Sequence, residues 1–146
     1  MLLLSLPIYP DTMSRIYKIL LSILSGLLLS AAWPERGFPV LLFFAFVPLF
    51  VVEYEQWKNR ANNHSSGFLP YAALTVSVWV LLTTWWVYNS TPIGIVATIL
   101  VNTTLVGGAL YLFHITHRRL SGATAAYTAL IGYMLTAEYI HLRWDL

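Results

Sequence analysis

Long apolar runs separated by short polar punctuation dominate this chain, and their lengths predict helices that cross a bilayer. A spanning helix needs about 20 mostly apolar residues, within a range of roughly 17–25. Five segments fit. The first covers 16–32, carries Lys18 near its start and stops at Trp33-Pro34. The second, 38–54, is short, and Pro48 predicts a kink because proline removes a backbone donor and clashes with the preceding turn. The third, 68–88, ends in the aromatic cluster Trp85-Trp86-Val87-Tyr88. The fourth opens on Pro92, pre-organised for a first helical turn, and runs to 113. The fifth covers 122–142 and contains Glu138. The expected fold class is an all-α membrane protein, a bundle of about five transmembrane helices forming one domain over 15–146.

The punctuation is short. Trp33-Pro34-Glu35-Arg36-Gly37 and Asn89-Ser90-Thr91-Pro92 read as tight turns, and His114 to Ser121 as a short basic connector. Glu55 to Ser66 is the clearly hydrophilic loop. None is long enough to hold a soluble domain. Residues 1–14 form an N-terminal extension with two readings, a short interfacial or disordered segment, or a prefix to a true start at Met13. A signal peptide would place its positive charge before its apolar run, and here Arg15 and Lys18 come after it.

Composition agrees with a lipid solvent. Hydrophobic residues make up 58% of the chain and charged residues 10%, with a mean hydropathy of +0.69. A soluble domain is typically about 45–50% apolar and about 25% charged. A net charge of +2 with no basic stripe excludes a nucleic-acid footprint. Absence of cysteine excludes disulfides, thiolate metal sites and a cysteine nucleophile within these residues.

The few charges sort by side. Threading the chain through five spans places Arg15, Lys18, Lys58, Arg60, Arg118 and Arg119 together, with Arg36 and Arg143 opposite. Short positive loops stay cytoplasmic, so the N-terminus is expected inside and Leu146 outside. Trp33, Trp57, Trp85, Trp86 and Trp144 then fall near the interfaces, where aromatic belts lie.

Candidate chemistry is sparse. Glu138 is a carboxylate in a spanning helix, a placement that costs about 2.5–3.5 kcal/mol at mid-bilayer and less near a helix end. His141 shares its face three residues on. Two readings stand: an interfacial Glu138 pairing with Arg143, or a polar site at the outer face. Asn102-Thr103-Thr104 reads as interhelical packing glue. Ser22, Gly26 and Ser30, Thr104 and Gly108, and Thr128, Gly132 and Thr136 have the four-residue spacing of close helix seams. His114 and His117 have metal-pair spacing, but no carboxylate stands near them in sequence and Arg118-Arg119 repels a cation, so an interfacial role is favoured. Asn63-His64-Ser65 and Asn89-Ser90-Thr91 match the glycosylation triplet, which means nothing without a glycosylating compartment. Neither a nucleophile elbow nor a glycine-rich phosphate loop occurs. No catalytic residue, metal site or cofactor is expected in these residues.

Three passages together resemble the N-terminal membrane region of apolipoprotein N-acyltransferase. One is Leu27-Leu28-Leu29-Ser30-Ala31-Ala32-Trp33-Pro34 followed by a second helix with Phe46-Val47-Pro48-Leu49. Another is Trp85-Trp86-Val87-Tyr88-Asn89-Ser90, similar to the family's Trp-x-Tyr-x-Ser close of the third helix. The last is Ala137-Glu138-Tyr139-Ile140-His141, similar to its Glu-aromatic-aliphatic-Arg ending of the fifth. The resemblance covers essentially everything after Met13.

It implies an eight-helix bundle in the bacterial inner membrane holding a periplasmic nitrilase-like domain. That domain's Glu-Lys-Cys triad moves an acyl chain from a phospholipid donor to the N-terminal diacylglyceryl-cysteine of a lipoprotein, through a thioester. None of the triad lies in these residues, so the chain reads as a fragment that is inactive alone. The implied substrate-binding residues are Glu138, His141, Trp86 and Tyr88, and the implied partners are the phospholipid, the diacylated lipoprotein and membrane lipids. His141 departs from the family's Arg, and an imidazole grips phosphate less firmly than a guanidinium fork. The competing reading is a non-enzymatic membrane scaffold or subunit.

Overall fold

The computed structural model describes residues 13–33, 37–59, 67–120 and 122–143, and over these the chain is helical throughout, without a strand. The extension over 1–12, the turn residues Pro34, Glu35 and Arg36, the loop from Arg60 to Ser66 with its Asn63-His64-Ser65 triplet, Ser121 and the end at 144–146 lie outside the described residues.

Helix α1 covers Arg15–Ala31, and the Ser14 hydroxyl caps it by accepting from the Tyr17 amide at 3.4 Å. The chain leaves α1 in a tight reversal. Phe38 N donates to the Ala31 carbonyl at 2.9 Å and Gly37 N to the Trp33 carbonyl at 2.8 Å. A Cβ at Gly37 would strike the Ala31 carbonyl, so only glycine permits this approach.

The next segment is a 3-10 turn, Pro39–Leu41, then α2, Leu42–Ala45, and α3, Val47–Lys58. The interruption falls at Phe46, just ahead of Pro48, whose ring nitrogen has no proton for the Phe44 carbonyl. At this break Ser25 of α1 donates its hydroxyl to the Ala45 carbonyl at 2.5 Å. Helix α4, Leu69–Thr83, stops short of the expected 88. Its Thr83 and Thr84 hydroxyls fold back on the Trp79 and Val80 carbonyls at 2.9 and 2.6 Å, and a turn replaces the helix through Trp86. One helical turn, α5 at Val87–Ser90, precedes α6, Pro92–Asn102.

A π-helical segment, Thr103–Gly107, joins α6 to α7, Gly108–Arg119, so one helix runs from Pro92 to Arg119. Of the residues expected as a basic connector, His114 to Arg119 are therefore the last turns of α7. Cations there oppose the partial negative charge of the carbonyl end. Helix α8, Ala123–Arg143, returns along α7.

The buried core gathers Leu49 and Val52 of α3, Phe68 just ahead of α4, Tyr71, Ala72, Val76 and Val80 of α4 and Leu110 of α7, and α1 packs against it through Ile19 and Leu21. The Thr75 hydroxyl donates to the Ser22 carbonyl at 3.0 Å, beside Gly26. Ser77 and Thr103 share a hydrogen bond of 3.3 Å between α4 and the π segment, while among the described residues the Asn102 and Thr104 side chains bond within their own helix. Of the three small-residue spacings, the one on α1 packs. Thr104, Thr128, Gly132 and Thr136 are exposed, and a Cβ on Gly108 or Gly132 would meet nothing within 4 Å.

The outer surface is apolar, with Ile16, Phe43, Ile93, Leu100, Ile131 and Leu135 among its exposed side chains. Two segments, Pro39–Lys58 and Pro92–Arg119, are long and apolar enough to cross a membrane. Helix α4 is apolar but has 15 residues because the helix opens at Thr84. Lys18, Lys58, Arg118 and Arg119 gather at one end of the bundle, where α1 begins and α3 and α7 finish. Trp33, Trp85 and Trp86 mark the opposite, aromatic end.

Candidate functional site

At the aromatic end, a cavity of about 760 Å³ opens between the close of α1, the reversal after it and the close of α4. Its walls include Trp33, Phe38, Leu41, Leu82, Trp85 and Trp86. The local reasons are already visible: the glycine reversal holds Phe38 against α1, and the threonine back-bonds end α4 so that Trp85 and Trp86 swing out. Trp33 packs at 5.9 Å, tilted by 58°, on Trp79. Ser30 and Thr83 bring hydroxyls to the lining, but both already donate to carbonyls of their own helices. The site is thus an apolar, aromatic recess, suited to hydrocarbon rather than to an ion.

The structure separates the four residues expected to bind substrate. Trp86 lines the recess. Tyr88 stands exposed on α5, outside the lining. Glu138 and His141 are exposed near the end of α8, which packs mainly on α7 and the π segment. Glu138 has no ion pair among the described residues; Arg143 instead lies over the Tyr139 ring at 5.3 Å.

A second group lies at the basic end, where His114 and His117 are buried in the bundle and not interfacial as expected, and meet a carboxylate that their own stretch of sequence does not show. Glu53 of α3 is fully buried and faces two imidazoles of α7. His114 Nδ1 lies 2.9 Å from Glu53 Oε1, and His117 Nδ1 lies 3.2 and 3.0 Å from Oε1 and Oε2. Both histidines are nearly inaccessible, at 2% and 3% exposure. Phe68 packs on His114, and Trp57 stacks almost parallel on His117 at 4.9 Å and 8°. The Trp57 indole also donates to the His117 carbonyl at 2.9 Å. Nearby, Glu55 is held by Lys18 at 2.7 Å and by Asn59 at 2.9 Å.

The carboxylate that the histidine pair lacked in sequence thus comes from 61 and 64 residues away. A buried carboxylate persists only when its oxygens are satisfied, and removing one partner of such a group costs about 3–5 kcal/mol. Glu53 did carry a sequence signal. It shares a buried face with the apolar Leu49 and Val52 and with Gln56, an arrangement expected of polar groups with partners inside.

The motif-bearing residues Trp86, Tyr88 and Glu138 thus fall on three separate elements, so no local site identifies the chain, and the match along its length does. The sequence pattern of the apolipoprotein N-acyltransferase N-terminal domain fits residues 25–146. The chain belongs to this family. No curated protein and no solved structure matches it. The family is one of membrane-bound N-acyltransferases, which accords with an all-helical chain whose outer surface is apolar.

Proposed function

We propose that this chain is the membrane portion of an apolipoprotein N-acyltransferase, which moves an acyl chain from a phospholipid to the N-terminal diacylglyceryl-cysteine of lipoproteins. The observation that carries the reading is the family match over residues 25–146. In this reading the chain sits in the bacterial inner membrane with five spans. The basic end faces the cytoplasm and the aromatic end the periplasm, where the acyl-transfer chemistry takes place. Helix α8, with 21 residues at about 1.5 Å each, has the length of a hydrocarbon core of about 30 Å.

The recess lined by Trp33, Phe38, Trp85 and Trp86 is then the place where an acyl chain leaves the outer leaflet. Trp86 contributes a wall, and Tyr88, Glu138 and His141 provide polar tips at the same interface. The chemistry itself belongs to a thiol nucleophile that these residues do not contain.

The test is a chimera in which residues 13–146 replace the matching membrane region of a working apolipoprotein N-acyltransferase, expressed in a strain depleted of its own enzyme. Growth and triacylated lipoprotein are expected to return, and Trp86→Ala in the chimera to lower the acylation rate severalfold at equal protein level. A chimera that inserts normally but leaves lipoproteins diacylated would overturn the proposal.

A further inference from the structure

The helix from Pro92 to Arg119 is continuous, yet its two halves are held very differently. The α7 half buries Ala109, Leu110, Phe113, His114 and His117, and its imidazoles tie it to Glu53 of α3. The α6 half buries no residue and packs on α4 and α5. We propose that this helix is hinged at Thr103–Gly108, so that α5 and α6 swing as one arm and carry the Trp85–Trp86 wall of the aromatic recess, setting the width of its mouth.

The joint has the features of a bend. Thr103–Gly107 is π-helical, and a π turn interrupts the regular α ladder at the place where helices kink. Just after it, the Gly108 amide is divided between the Leu105 and Thr104 carbonyls. On the α6 side, the Thr98 and Thr104 hydroxyls donate to the Gly94 and Leu100 carbonyls at 2.9 and 2.8 Å, a back-bond that loosens and bends helices. Gly107 and Gly108 are not demanded by close packing. A Cβ on Gly107 would meet Thr103 Cγ2 at an ordinary 3.7 Å, and one on Gly108 nothing within 4 Å. What glycine supplies here is backbone freedom. The pivot is pinned to α4, where the Thr103 and Ser77 hydroxyls share their bond of 3.3 Å.

The arm is connected to the recess by hydrogen bonds. Tyr88 N donates to the Trp85 carbonyl and Asn89 N to the Trp86 carbonyl, both at 3.1 Å, so the two tryptophans move with α5. Thr91 N then bonds the Val87 carbonyl at 3.0 Å and Gly94 N the Thr91 carbonyl at 2.9 Å, which continues the link into α6. At its other end the arm meets Thr84, where α4 opens. A swing is thus absorbed at Thr84 and at the π segment. The facing wall stays, because the glycine reversal fixes Phe38 on Ala31 and Trp33 packs on Trp79. That the mouth admits an acyl chain rests on the reading of the recess given above; the swing itself does not.

The absence of cysteine makes the experiment clean, since introduced thiols are the sole labelling sites. Distances between spin labels are measured by double electron–electron resonance on the full chain in lipid nanodiscs. One pair, Ile93→Cys with Leu27→Cys, spans arm and α1; the other, Leu112→Cys with Leu20→Cys, spans α7 and α1, all at exposed positions. The arm pair is expected to give a severalfold broader distribution than the α7 pair. Gly107→Ala with Gly108→Ala, which fits without a clash, is expected to narrow the arm pair and leave the α7 pair as it was. Should the double variant disturb the α7 pair, Gly108→Ala alone, in open space, takes its place. In a separate chain, Ser30→Cys puts a thiol on the recess lining, and its modification by pyrene maleimide is expected to slow severalfold when the glycines are replaced. An arm pair as narrow as the α7 pair, a breadth indifferent to the glycines, or an unchanged modification rate would overturn the hinge. None of these readouts uses acyl transfer, so their failure leaves the acyltransferase reading standing, and failure of the chimera leaves the swing.

Discussion

Gly26 of α1 and Val78 of α4 lie so close that a Cβ built on the glycine would come within 2.8 Å of the Val78 Cβ and of the Thr75 carbonyl oxygen. Neither neighbour is the free end of a flexible chain, so one helix must move if Gly26 grows. Alanine is the better helix former by about 1 kcal/mol, but overpacking costs about 1–3 kcal/mol. The clash wins. Gly26→Ala should lower the unfolding midpoint in a mild-detergent denaturation series, while Gly132→Ala, in open space, should leave it unchanged or raise it. Equal loss in both variants would show that the α1–α4 seam has no special closeness.

Charge placement at the two ends sets the expected topology. Reporter fusions after Arg60 and Arg119 should give cytoplasmic signals, and fusions after Gly37, Asn89 and Leu146 periplasmic ones. A cytoplasmic signal at Leu146 would remove the fifth span.

Residues 1–146 hold no cysteine. Purified alone, they should neither acylate a diacylated lipopeptide nor trap a thioester. Turnover above a no-protein control would show that acyl transfer here uses another nucleophile.

Burial separates the two carboxylates Glu53 and Glu138. Glu53→Gln removes the charge and turns one of the two acceptor oxygens facing the buried imidazoles into an NH2 donor, and a loss of about 3–5 kcal/mol is expected from breaking such a pair. Glu138→Gln removes a charge that is exposed on α8 and has no ion pair among the described residues, so folding and insertion should survive. If Glu138 orients a lipid headgroup or docks the catalytic domain, the chimera carrying Glu138→Gln should lose acylation at normal expression. Normal growth of the depleted strain would leave Glu138 a bystander at the interface.

Helicity, lipid affinity and family were legible in the sequence by itself. Apolar runs of spanning length leave an isolated strand no way to satisfy its backbone, and helices satisfy theirs internally. The motifs around Trp33, Trp86 and Glu138 are local strings, readable without a fold. Tertiary structure decided the rest. Ser22, Gly26 and Ser30 and Thr128, Gly132 and Thr136 have the same spacing, yet Gly26 meets α4 and Gly132 meets nothing within 4 Å. Spacing determines which face a residue occupies, and only the fold determines what stands opposite. The same holds for His114 and His117. Their own stretch offers two arginines that repel a cation, and the carboxylate that completes them arrives from α3, once the helices are packed and the buried charge must find a partner.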